Sequence, residues 1–136
     1  ITTCSAAYQS QLLADWQYSL RLNLAWLSAI NHQLSEVDLA RFCNSSQAKS
    51  KTDILQTILL QRFIQKIQPY LAEINGISHQ LQPALNQLYQ QSAMSNVIYQ
   101  RTEAQSDALK AEVKKHVVWW QQLQQQCAVK MTPAHK

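Results

Sequence analysis

Three cysteines and one histidine have the greatest capacity for chemistry in this chain: Cys4, Cys43, Cys127 and His116. An odd number of cysteines leaves at least one thiol unpaired within a monomer. Their spacings, 39 and 84 residues, match no metal-ligand pattern. A nucleophilic cysteine needs a base beside it, and none of the three has a recognisable His partner in sequence. Disulfide formation is therefore the chemistry to weigh. In an antiparallel bundle whose last helix returns to the start of the first, Cys4 and Cys127 share an end and Cys43 sits at the other. A Cys4–Cys127 bridge would close almost the whole chain and contribute roughly 4–5 kcal/mol in the chain-entropy model. It would imply an oxidising compartment. The plainer alternative is three free thiols in a cytosolic protein.

His116 lies on an apolar helical stripe, with Glu112 one turn before it and Trp120 one turn after. A Glu and a His at i, i+4 can share a proton or begin a metal site. A metal would need a second pair, and the sequence offers none. A core histidine satisfied by a hydrogen bond is the favoured reading. His32, His79 and His135 fall at helix ends or in the tail. Arg62 and Lys66 lie on a polar face and Arg21 lies between two apolar stripes, so these cations read as solvated or snorkelling. No paired carboxylates and no Ser-His-Asp order emerge. With one glycine in 136 residues, no phosphate-cradling loop is available either. No enzyme, cofactor or metal is expected.

The four tryptophans point elsewhere. Trp16 belongs to the core stripe of the first helix. Trp26 belongs to a second stripe on the same helix, with Tyr18, Leu22, Ala25 and Ala29. Trp119 lies off the main stripe of the last helix. Tryptophan is over-represented in binding hot spots. Tyr18, Leu22, Trp26, Trp119 and His116 are therefore the candidate binding residues.

These side chains need helices to place them. A typical chain is about 7% glycine; this one has Gly76 alone, which removes most hairpins and bulges. The fold class expected is all-α: an antiparallel helical bundle of four main helices plus a short helix after the first, in a single domain over 1–136. Leu13, Trp16, Leu20, Leu24, Leu27 and Ile30 recur at three- and four-residue steps and place helix one at about 5–33. Ser35-Glu36-Val37-Asp38 reads as a capping box for a short helix over about 35–43. The Asn44–Ser50 stretch reads as a loop, and Asn44-Ser45-Ser46 fits a glycosylation sequon. A helix over about 53–74 carries Pro69, which should kink it, and ends at Asn75-Gly76. Helices over about 80–94, with Pro83 in the first turn, and 97–128 follow, broken at Ser95-Asn96, with a tail over 131–136.

Charged residues are 15%, and 21 glutamines supply uncharged polar surface. The net charge of +4 hints at acidic partners. The basic residues are scattered, however, so nucleic acid is disfavoured as a ligand. No apolar run approaches the ~18 residues of a membrane span, so contact with a membrane would come only through flanking segments. A start at Ile1 suits a processed chain or a piece of a longer one.

The function expected is non-enzymatic. The chain reads as a helical binding, adaptor or sensor module of the cell envelope, periplasmic or secreted. It would act through helix faces on a protein partner, on a small ligand, or on itself as a homodimer through helix one. The alternative is a cytosolic accessory protein that binds nucleic acid or a replication or regulatory partner.

Overall fold

A computed structural model describes residues 3–44, 47–90 and 93–127. Among these residues every element is helical: α1 (Thr3–Ser35), α2 (Leu39–Cys43), α3 (Ala48–Ile58), a π-helical segment (Leu59–Ile67), α4 (Gln68–Tyr89) and α5 (Ala93–Cys127). The all-α class stands among the described residues.

The second turn region departs from expectation. α1 runs on to Ser35, whose hydroxyl donates to the His32 carbonyl at 2.6 Å rather than opening a new helix. Asp38 caps α2 instead, its carboxylate accepting from the Arg41 N–H at 3.2 Å. Asn44 closes α2, with its N–H on the carbonyls of Ala40 and Phe42. Ser45 and Ser46 of the sequon lie outside the described residues, as does the tail over 131–136. α3 begins at Ala48, inside the stretch expected to be a loop.

The largest correction concerns Gly76. It ends nothing: α4 runs through both Gly76 and Pro83. α3, the π segment and α4 follow one another without a turn, so residues 48–89 form one rod. The backbone stays right-handed helical across both joints, at Leu59 and Gln68. Pro69 does not end the rod either. Its ring would crowd the carbonyl four residues back in a regular helix. The wider π turns lie immediately before it, and the Gln68 N–H reaches back five residues to the Phe63 carbonyl. α5 likewise passes through Ser95-Asn96 without a break.

Three long rods therefore replace the expected alternation. α1 pairs with α5 at Gln17–Thr102, Asn31–His116 and Leu34–Trp119, always at a separation of 85 residues. A constant separation means that α1 and α5 run parallel. α4 runs opposite to α1, since Trp16 meets Ser78 while Asn23 meets Tyr70. This parity overturns the Cys4–Cys127 pairing. α5 ends beside the end of α1, where α2 lies, and Cys127 is bonded to Cys43 with Cα atoms 5.1 Å apart.

The interior has two parts. Trp16, Leu20, Leu27, Leu71, Ile74, Leu85 and Leu109 fill the middle. Leu39, Leu59, Phe63, Trp120 and Leu123 fill the end that carries the disulfide. Leu20, Leu59 and Leu123 are fully buried, each contributing about 1.5–3 kcal/mol relative to exposure.

Candidate functional site

His116 packs against the end of the core that carries the disulfide, beside Phe63 and Trp120. It is 7% exposed and meets a partner on every side. The π segment brings Phe63 against its ring, with centroids 4.8 Å apart. Trp120, one turn on, stands edge-on to it and donates its indole N–H to Nε2 at 3.0 Å. On the other side, Nδ1 lies 2.9 Å from Oδ1 of Asn31 on α1. The Asn31 amide nitrogen donates twice to Glu112, to its backbone carbonyl and to Oε2, both at 2.8 Å. Lys115 completes the chain at 2.8 Å from Oε1.

This network sets the protons. Trp120 has only a donor to offer, so Nε2 must accept. Asn31 presents its oxygen, because its nitrogen is committed to Glu112, so Nδ1 carries the proton and donates. The imidazole is neutral, and a second proton would point at the indole N–H. Burial likewise holds the His116 pKa below its ordinary value of 6.5. The hydrogen bond from Lys115 holds the Glu112 carboxyl below its ordinary 4.5, with Asn31 adding to the effect. Glu112 does not touch the imidazole, because Asn31 stands between them. Among the described residues no group of three His, Cys, Asp or Glu side chains could hold a metal ion. The polar chain fixes α1 against α5 in register.

The second stripe of α1 faces outward. Tyr18 is 59% exposed, Trp26 64% and Leu22 41%. Ala25 and Ala29 run beside them and are also exposed. Ile30, expected in the core, extends this face at 41% exposure. Three residues advance a helix by about 300°, so Ile30 stands about 60° round from buried Leu27, toward Trp26. Tyr70 on α4 adjoins the face, its hydroxyl accepting from Asn23 at 3.4 Å.

Trp119 and His116 do not join this surface. The Trp119 indole donates to the Leu34 carbonyl at 3.1 Å, and its ring stands edge-on to Trp120. It lines two adjoining clefts, of about 350 and 180 Å³, which share Leu34, Val37 and Leu39. The five candidate binding residues thus divide into an outer face (Tyr18, Leu22, Trp26) and an interior pair near the disulfide. Asn31 and Phe63 gave no signal in the sequence, since an Asn in a helix and a Phe in an apolar stripe are both ordinary.

A model of the family described as proteins of unknown function, DUF3080, matches residues 2–131, and the chain belongs to that family. Neither the curated proteins nor the solved structures yield a match to it. No helix among the described residues is long and apolar enough to cross a membrane.

Proposed function

We propose that this chain is a non-catalytic helical adaptor of an oxidising compartment, the periplasm or the cell exterior. Its three rods act as one bundle that presents the outer face of α1 to a partner helix. The observation that carries this reading is the exposed row Tyr18, Leu22, Trp26 and Ile30 on a helix whose opposite face is buried. The partner that suits the face best is a second copy of the same face. Ala25 and Ala29, along the Tyr18 edge of this row, allow a second helix to approach closely on that side. The Cys43–Cys127 bond supports the compartment, since such bonds persist where thiols are oxidised.

Sedimentation equilibrium with the wild type and Trp26→Glu tests the proposal. A concentration-dependent dimer that Trp26→Glu converts to a monomer of unchanged helicity supports it. A wild type that stays monomeric, or a dimer that the substitution leaves intact, refutes self-pairing through this face.

A further inference from the structure

A second feature stands apart from the outer face of α1. A half-open cleft of about 280 Å³ lies between α1, α4 and α5. Leu20, Leu71, Ile74, Leu109 and Val113 form its walls. At its rim are Ser106 and Lys110, one turn apart on α5 and so on the same side of that helix. Lys110 is the only charged residue on the lining among the described residues. Neither the Lys110 nor the Ser106 side chain makes a hydrogen bond or ion pair among the described residues. Ser78, also on the lining, is committed: it accepts from the Trp16 indole at 2.9 Å and donates to the Ile74 carbonyl at 3.1 Å. A smaller cleft of about 60 Å³ shares Ser78, Ser106 and Lys110 with this one and also carries Glu103 and Asp107, which lie farther round α5 from Leu109 and Val113 than Lys110 does. Among the described residues, the lining of the main cleft includes no acid.

An apolar slot with an ammonium and a hydroxyl at its mouth, and the amides of Gln68 and Asn75 also on its lining, matches a particular ligand. The tail must be apolar, to displace water from Leu, Ile and Val walls. The head must be an anion that accepts hydrogen bonds, since the rim offers donors. The volume falls just under the ~300–1,000 Å³ of sites for drug-sized molecules, which limits the ligand to one short chain. We propose that this cleft binds a free single-chain alkyl carboxylate. The chain lies along Leu71, Leu109 and Val113, and the carboxylate sits at Lys110 and Ser106.

Titration calorimetry with decanoate, kept below its micelle concentration, tests the site. The expected result is saturable binding of one decanoate per chain, with decanol and decylammonium each at least tenfold weaker. Lys110→Glu should weaken decanoate at least tenfold and remove its advantage over decanol. Ala72→Trp, at the exposed lip, should abolish binding while circular dichroism stays unchanged. Trp26→Glu should leave binding intact, so failure here and failure of the α1 face read separately. Four results overturn the proposal: no saturable decanoate binding, equal binding of all three amphiphiles, binding untouched by both cleft variants, or uptake only from phospholipid vesicles.

Discussion

The Trp120 indole N–H points at Nε2 of His116 from 3.0 Å, and this one contact decides which nitrogen of the imidazole carries the proton. A neutral ring serves as acceptor toward Trp120 and donor toward Asn31. A charged ring has two donors and would face one of them against another donor. Stability must then depend on pH in a definite direction. The folded chain holds His116 below the ordinary 6.5, so just under that pH the unfolded chain binds more protons. This contribution is fully present above 6.5 and is lost as pH falls through the lowered folded value. Glu112 adds a second loss below 4.5, since its carboxyl is also depressed. Urea midpoints taken from about pH 8 down to about pH 5 should fall in the His116 window, and His116→Gln should flatten that slope.

Trp120→Phe keeps an aromatic ring and removes the donor. Nε2 then becomes free to take a proton, so the His116 pKa should rise toward its ordinary value. The lost bond should cost about 0.5–1.5 kcal/mol. Proton NMR of the imidazole in wild type and variant reads the pKa directly. An unchanged titration would show that the indole bond does not govern the ring.

Asn31 bridges two residues of α5, so its removal is costlier than one hydrogen bond. Asn31→Leu leaves the His116 Nδ1–H without an acceptor and takes a donor from Glu112. A buried donor left unpaired costs about 1–3 kcal/mol. Denaturation should show a loss in that range. Asn31→Asp would place a carboxylate beside that of Glu112 and should be worse than Leu at neutral pH.

Gly76→Ala should stabilise the protein by about 0.5–1 kcal/mol. The residue lies within α4, and a Cβ added there meets nothing within 4 Å. An upward shift of the thermal midpoint is the expected reading. A helix that ended at this glycine with a left-handed cap would instead be destabilised by alanine.

The error over Gly76 shows where the sequence stops being informative. Helical periodicity alone separated buried Trp16, Leu20 and Leu27 from exposed Tyr18, Leu22 and Trp26, because 3.6-residue geometry is local. Asn75-Gly76 and Pro83 are local breakers too, but Leu71, Ile74 and Leu85 pack into the core on both sides of them. Burial of those side chains outweighs a glycine cost of about 1 kcal/mol. One uninterrupted rod in place of two helices changes the parity of the fold. α5 then runs with α1 instead of against it, and the cysteine at its end meets a different partner. Periodicity also gave no view of the His116 network, whose key member, Asn31, lies 85 residues away on another helix.

The disulfide gives the last prediction. Cys43 and Cys127 are 84 residues apart, so their bond shortens the unfolded chain's freedom greatly. The chain-entropy model gives about 4–5 kcal/mol for a loop of that size. The bond ties α2 to the end of α5, beside Leu39, Phe42 and Leu123, so its loss should loosen that end of the core first. Cys43→Ser and Cys127→Ser should each lower stability by a comparable amount, and the double variant by little more than either alone. Cys4→Ser should leave the bridge in place. Intact mass under native alkylation settles the pairing: Cys43→Ser should expose Cys127 to reagent, and Cys4→Ser should not. Labelling of Cys127 in the Cys4→Ser protein, but not in Cys43→Ser, would reverse the assignment and restore a fold in which α5 returns to the start of α1.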